Sequence, residues 1–441
     1  MFDKVKVSRY LQDFRDQHLP EAVEREMRLP STKMVLTVYG PRRCGKSYYL
    51  YQLIRQALEA GATKEDILLL DFEDTRLADL GFKDLEDVLR LHFELFPGSS
   101  TAALRVFLDE PQLMPGWERA VRSLHDKGTL QIHVTGSSAK LLVSEIATSL
   151  RGRTLPFLLL PYSFREFLSA RGIATGGPHP GTVEESRTKA ALADYLSTGG
   201  FPEVVKERDE GTRTRILIQY LNLIIYRDLV ERHGVENLAM VKFLLEQLFS
   251  SFAREMSVNK LYNTARSRGI AVSKRTAYEY VGHLEDALAV ILLHRWAASP
   301  RVRGGYLPKA YIVDNGYARL FPTGSEDLGR LAENAVMVEL RRMRDADPLL
   351  ETYYWKDAQG KREVDFVLRR KGEFVRLIQV CRSPEAPDTR EREERALLEA
   401  SEELGCDKLT VLTWDLEEAR EVGGKTIEYV PLWRWLQFGG I

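Results

Sequence analysis

Residues 34–58 read MVLTVYGPRRCGKSYYLYQLIRQAL. The first six are an apolar run of strand length, and from Tyr48 onward the pattern is helical. Between them lies GxxxxGKS: Gly40, Pro41, Arg42, Arg43, Cys44, Gly45, Lys46 and Ser47. Strand, glycine loop, then helix is the context in which this pattern cradles phosphates. The glycines let the backbone curl with its N–H groups inward, and the following helix turns its positive end to the same anion. Lys46 is suited to neutralise the β- and γ-phosphates, and Ser47 offers a hydroxyl to Mg²⁺. The expected ligands are ATP and Mg²⁺, held by residues 40–48.

A triphosphate with its metal needs acids nearby. Residues 104–110 (LRVFLDE) are a buried-strand pattern ending in Asp109 and Glu110, a carboxylate pair at a strand's C-terminal tip. Asp109 is expected to hold the metal and Glu110 to polarise an attacking water. Two more strands, at 67–74 (ILLLDFED) and 130–138 (LQIHVTGSS), complete a set alternating with helices. Such alternation predicts a parallel, doubly wound α/β sheet. At the tip of the fourth strand, Ser137 and Ser138 read either as contacts to the γ-phosphate or water, or as caps of a helix over KLLVSEIATSL. Arg151 and Arg153 follow in SLRGRTLPF. Either guanidinium suits the charge of a transferring phosphoryl group, often from a neighbouring subunit, and equally suits a surface ion pair.

The chain has 441 residues, which allows about three domains. It is 44% hydrophobic and 29% charged, with 63 basic against 64 acidic residues, so disorder is excluded and any basic surface must be local. Cys44, Cys381 and Cys406 are scattered and form no CxxC pair, which suits a reducing, cytoplasmic setting. No apolar stretch approaches the length of about 20 residues needed to span a bilayer.

Residues 171–185 (RGIATGGPHPGTVEE) read as a loop or linker. Beyond them come an amphipathic helix at 240–254, a second helix capped by Ser257 and a third capped by Ser273. Strands in ALAVILLHRW and GYLPKAYIVD follow. Three helices and a β-hairpin form a winged helix-turn-helix, whose third helix reads DNA in a complex. Lys260, Arg266, Arg268, Lys274, Arg275, Arg301 and Arg303 make this segment locally basic, suited to phosphate contact, and Tyr278 stands beside Lys274 and Arg275 on the third helix. A plain packing role is the competing reading.

GPRRCGKS, FLDEPQ with GWERAVR, VTGSSAKLL, SLRGRTLPF and PYSFREFL together resemble the prokaryotic AAA-superfamily ATPases fused to a C-terminal domain of unknown function. The likeness continues through LSTGGFPEVV, IIYRDLVER, YIVDNGYARL, LGRLAENAVMVELRR and YYWKDAQGKREVDFVL, covering about residues 30–400. It implies an oligomeric ATPase, such as a hexameric ring, with DNA as the leading partner, and a C-terminal fold like that of PD-(D/E)XK nucleases. In such a nuclease, a helix acid, a strand Asp and an acid-x-Lys pair build the metal site. Glu333 or Glu339 and Asp365 match the first two, but Gln379-Val-Cys381 replaces the last. An amide and a thiol for an acid and a lysine imply an inactive site. Glu363 and Asp365 also read as the polar face of a strand, and residues 389–404 as a solvated charged helix.

The expected organisation is therefore an ATPase core at 1–170, a linker and lid-like helical segment at 171–238, the winged helix at 239–325 and the nuclease-like α/β domain at 326–441. The expected function is Mg²⁺-dependent ATP hydrolysis coupled to DNA binding or remodelling. The alternatives are an ATP-controlled signalling or defence switch, and an ATP-dependent nuclease, against which the degenerate metal motif weighs.

Overall fold

The apolar run before the glycine loop is strand β1 (Val35–Tyr39), buried at every position. In the computed structural model it lies inside a five-stranded parallel sheet with β2 (Ile67–Asp71), β3 (Arg105–Asp109), β4 (Gln131–Gly136) and β5 (Thr154–Leu158), in the order β2-β3-β4-β1-β5. The structure describes residues 3–100, 103–136, 152–174, 177, 180–321, 328–384 and 386–439. Near-continuous burial along β1 to β4 is what a parallel sheet covered on both faces requires. The chain divides into two units, Met1–Leu160 and Pro161–Ile441.

Register decides what meets at the sheet's C-terminal edge. Asp71 pairs with Asp109, Leu108 with Val134, and Val38 with Thr135. β4 thus lies between the strand that feeds the loop and the strand that ends in acids. The sequence-based strand at 67–74 is shorter here, ending at Asp71, and that at 130–138 is described from Gln131 to Gly136. An unanticipated helix, Lys4–Asp16, buries Phe14 in the same core cluster as Leu50, Ile54 and Phe107.

In the second unit, helix Thr182–Thr198 begins inside the stretch read as a linker. Gly181 starts it, and Glu184 and Glu185 occupy its first turn, where acids complement the helix dipole. Charge there marked a helix start and not a loop. The close-packed Thr198-Gly199-Gly200 turn accepts no side chain: a Cβ on Gly199 would lie 1.9 Å from Asp314 Oδ1. Gly200 N–H donates to Asp314 Oδ2 at 2.6 Å. Helices Pro202–Lys206 and Glu210–Leu223 lead into a π-helical segment, Ile224–Glu231.

Helices Leu238–Ser250, Val258–Ser267 and Lys274–Asp286 follow. The first starts two residues before the expected position because Asn237 caps Met240 N–H. It ends early because Ala253 turns into the left-handed region (φ 57) and donates to Ala310 O at 2.7 Å. Ser257 and Ser273 cap the other two as expected. β6 (Arg254–Glu255), β7 (Val290–Leu293) and β8 (Lys309–Ile312) form an antiparallel sheet, order β6-β8-β7. Residues 305–308, read as strand, precede β8, and a short helix, Pro300–Arg303, lies upstream of them.

Helix Leu328–Ala346 opens the C-terminal part. A six-stranded mixed sheet follows, order β13-β14-β12-β11-β10-β9: β9 (Leu350–Lys356), β10 (Glu363–Arg370), β11 (Glu373–Val380), β12 (Leu409–Thr413), β13 (Glu418–Val422) and β14 (Lys425–Pro431). Helix Pro387–Leu404 packs on it through Ala396, Leu397 and Ala400. Among the described residues no helix is long and apolar enough to cross a membrane.

Candidate functional site

The loop between β1 and helix Lys46–Glu59 is built from below. Gly40 has no room for a side chain, since a Cβ would lie 2.0 Å from Leu159 O. Gly45 takes φ 98 and Arg43 φ 66, positions that curl the chain where most residues resist. Gly45 also starts the helix without a side-chain cap, so nothing bulky intrudes at its positive end. Under the loop, Cys44 is buried against Val38, Tyr49 and Leu159, and burial pushes its thiol pKa up. Arg25, a buried cation, donates to Cys44 O at 2.9 Å and also to Leu160 O. Gln52 bonds both the N–H (2.7 Å) and the carbonyl (3.0 Å) of Arg25. Pro41 is buried, Arg42 half-buried, and Arg43 and Tyr48 exposed on the rim.

Lys46 is 6% exposed. Its Nζ donates to Gly40 O and Pro41 O, both at 3.2 Å, and lies 3.6 Å from Glu110 Oε1. Glu110 sits in the left-handed region (φ 50) directly after β3, and its N–H donates to Thr135 Oγ1 at 3.2 Å. That turn aims its carboxylate back at the loop. Gln112 Nε2 donates to Glu110 Oε2.

Asp109 is 5% exposed and accepts from the Thr135 hydroxyl. Ser47 also hydrogen-bonds it. Burial nevertheless dominates and pushes its pKa up to about 6, with Glu110 and Asp71 adding like-charge repulsion. Asp71 is raised for the same first reason. Three carboxylates thus converge on one sheet edge beside the buried Lys46.

Thr135 and Asp71 were not singled out from the sequence. Only the strand order shows that β4 separates loop from acids. Ser137, Ser138, the helix expected after them and Arg151 lie outside the described residues. Arg153 is described, and it stands at the other end of the sheet. Its carbonyl accepts from Val35 N–H at 2.9 Å, and its guanidinium pairs with Asp126. A strand of five residues, roughly 16 Å, separates that end of β1 from the loop.

The basic residues of the second unit divide. Lys260, Lys274, Arg275 and Arg301 are exposed, and Tyr278 is 48% exposed. Arg275 pairs with Glu279 at 2.8 Å, Arg266 reaches the Tyr262 hydroxyl at 3.3 Å, and Arg268 lies over the Phe243 ring. Arg303 is packed between the Trp296 and Tyr353 rings and donates to the Tyr353 hydroxyl at 2.8 Å.

In the C-terminal part, Gln379 lies on β11 and Cys381 just past its end, and a lysine reaches the acids from elsewhere. Lys309 of β8, 3% exposed, places Nζ 3.0 Å from Glu333 Oε1, 2.5 Å from Glu363 Oε1 and 3.2 Å from Asp365 Oδ1. The loss of cation inferred from Cys381 is therefore corrected: a cation is present, supplied by a strand outside that motif. Glu363 and Asp365 are not merely a polar strand face. Glu333, and not Glu339, is the helix acid at this cluster; Glu339 pairs with Arg342 at 2.8 Å. Gln379 Oε1 accepts from Asp365 N–H at 3.1 Å, and its amide donates to Glu393 Oε2 at 2.6 Å. Burial raises the Glu333 pKa to about 7, while the surrounding acids hold Lys309 well above its ordinary value despite its burial.

Lys309→Met should destabilise the chain by about 3–5 kcal/mol, because it strands Glu333 and the buried Asp365 without the counter-ion they share, while Glu363 keeps Lys356. The deficit should be smaller at pH 5 than at pH 8, since carboxylates that lack a cation take up protons as the pH falls. Urea denaturation at the two pH values checks both statements.

Comparison with known proteins gives the following. Residues 32–168 match a family model described as an AAA domain. Residues 189–325 and 328–435 match two domains of unknown function, DUF8612 and DUF4143. The Uncharacterized protein MJ1544 of Methanocaldococcus jannaschii is 35% identical over 407 residues, 91% of this chain and 88% of its own length. An uncharacterized protein of Haemophilus influenzae is 30% identical over 429 residues, 95% of this chain and 98% of its own. Among solved structures, the Walker-type ATPase PABY2304 of Pyrococcus abyssi aligns at a TM-score of 0.42 and 17% identity, over 73% of this chain and 96% of its own. The Aeropyrum pernix ORC1 protein, solved in complex with DNA, aligns at 0.29 and 12%, over 76% and 94%.

Proposed function

This chain belongs to the family of the MJ1544 protein and carries an AAA domain of the P-loop ATPase class, and from that premise we propose that it binds and hydrolyses ATP at the edge where β1, β4 and β3 end. One observation carries the reading: Lys46, buried in the glycine loop, lies 3.6 Å from Glu110, while the neighbouring Asp109 engages Ser47 and Thr135. An anion cradle, a hard-oxygen donor set and a candidate base meet within one strand-tip cluster.

The donor set fits Mg²⁺. Asp109 is a buried carboxylate whose partners are hydroxyls, and Mg²⁺ prefers carboxylate and other oxygen ligands with retained waters. Ser47 and Asp109 would hold it. Bound there, it supplies positive charge to the phosphates. Lys46 binds the β- and γ-phosphates, and its charge, drawn to them, frees Glu110 to accept a proton from water. Thr135 orients Asp109 and steadies the Glu110 backbone, a positioning role. Arg153 stands at the far end of its own sheet and pairs with Asp126, so it would serve a phosphoryl group only on another copy, in an assembled oligomer.

The remaining parts fit DNA handling. Helices Leu238–Ser250, Val258–Ser267 and Lys274–Asp286 with the β6-β8-β7 sheet make a winged helix, and exposed Lys260, Lys274, Arg275 and Arg301 offer a phosphate-contacting surface. The C-terminal sheet is read as a nuclease-like fold retained for binding. Lys309 sits as a resident counter-ion among the acids, and Gln379 takes an acid's place, so cleavage is the weakest of the three readings. Between DNA remodelling and a nucleotide switch, ATP turnover measured with and without single-stranded, duplex and branched DNA decides. Stimulation by one form supports remodelling, and indifference to all supports the switch. Reversing charge at Lys274 and Arg275 to Glu should weaken DNA binding and lower the slope of log affinity against log salt by about two. Unchanged binding in a salt titration would move the DNA surface off this helix.

A further inference from the structure

His233, His283 and Asp286 come together within the second unit and share no residue with the Lys309 cluster. Their ligand atoms all lie within 4.8 Å of one another, and each residue is half-buried. The two imidazole rings stack, centroids 4.0 Å apart and planes 17° from parallel. His283 and Asp286 are one turn apart on helix Lys274–Asp286, so both side chains leave the same face. His233 comes from the chain that ends the π-helical segment Ile224–Glu231.

Backbone structure fixes His233 there. Gly234 takes φ 63, its N–H donates to Val230 O at 3.0 Å, and Val235 N–H donates to Leu229 O at 3.2 Å. Val235 is buried. A few residues on, Asn237 N–H donates to the Tyr280 hydroxyl at 3.3 Å, and Asn237 Nδ2 donates to Ala271 O at 2.8 Å. The two segments are thus joined on either side of the cluster by bonds that do not involve it. Positions of this kind are prearranged for a ligand and cost little to close.

We infer that His233, His283 and Asp286 form a binding site for a divalent transition metal of the Zn²⁺ class, which clasps the end of the π-helical segment to the helix bearing Lys274 and Arg275. Two imidazole nitrogens and one carboxylate oxygen are a donor set that Zn²⁺ takes readily and Mg²⁺ does not. Tetrahedral bonds of about 2.0–2.2 Å put ligand atoms roughly 3.3–3.6 Å apart. The present span is wider, and the two near-parallel rings must tilt by side-chain rotation for their nitrogens to converge on one ion. Three protein ligands leave the fourth position to water. The site lies at the C-terminal end of the helix whose first turn carries the basic pair, so occupancy stiffens that helix without covering its exposed cations.

The test uses the whole chain, stripped with chelator and free of nucleotide. Zn²⁺ is titrated against a chromogenic competitor, and Co²⁺ is added separately as a spectroscopic probe. The wild-type chain should take up one equivalent of Zn²⁺, melt a few degrees higher with it, and give Co²⁺ d–d bands without thiolate charge-transfer bands. His233→Ala and His283→Ala should each lower Zn²⁺ affinity by about 100-fold or more, and Asp286→Asn, which keeps the side chain's shape, by about 10-fold or more. Lys46→Ala should leave Zn²⁺ uptake unchanged, which separates this site from the nucleotide loop. Circular dichroism checks that each variant is folded, and the wild-type Co²⁺ spectrum stands whether or not they are. A wild-type chain with only the spectrum of free Co²⁺, thiolate bands, or uptake that survives the double histidine substitution would overturn the assignment.

Discussion

Lys46→Ala should lower ATP turnover by at least about 10²-fold, the loss that follows removal of one preorganised charge from a phosphoryl-transfer site. The reasoning starts from burial. The ammonium is 6% exposed and satisfied by two loop carbonyls and Glu110, so no other described side chain is placed to take its position over the loop. Alanine leaves the core beneath the loop intact, because Val38, Cys44, Tyr49 and Leu159 do not depend on Lys46. The variant should therefore fold, and a melting curve close to that of the wild-type chain would show that lost turnover is lost chemistry. Phosphate release at the wild-type rate would remove the loop from the mechanism.

Glu110→Gln should reduce turnover by about 10²–10⁴-fold while keeping nucleotide bound. The amide retains the shape and the hydrogen bond with Gln112 but has no basic oxygen to accept a proton. Asp109, one residue back, is tied to the Thr135 and Ser47 hydroxyls, which suits holding a cation and not moving protons. The two adjacent acids therefore part by environment: one is locked into hydroxyls, and the other is turned by a left-handed residue toward the loop. A fluorescent nucleotide analogue bound by Glu110→Gln but not released as product is the expected readout. Normal turnover in this variant would place the base elsewhere.

Much of this site was legible in the sequence because its signals are local. GxxxxGKS after an apolar run and LRVFLDE are each decided within eight residues, and the structure sets them at the same sheet edge. Their meeting was an inference from βα alternation; the strand order that inserts β4, and so recruits Thr135, depends on pairings across the chain. Lys309 shows the same limit more sharply. It lies 54 residues before Glu363, and no local motif ties a β8 lysine to acids on β10 and on the helix Leu328–Ala346. Gly199 and Gly200 carry no local sign of their role, which comes from the Asp314 carboxylate more than a hundred residues on. Glu184 and Glu185 misled because acids mark both solvated loops and helix starts, and only the register of the following apolar positions separates them.

Calorimetric titration of ATP into the wild-type chain, with and without Mg²⁺, tests the nucleotide reading most directly. Saturable binding of one ATP per chain, strengthened by Mg²⁺ and abolished in Lys46→Ala, is the predicted result. A folded chain with no affinity for ATP at any salt or metal concentration would contradict it.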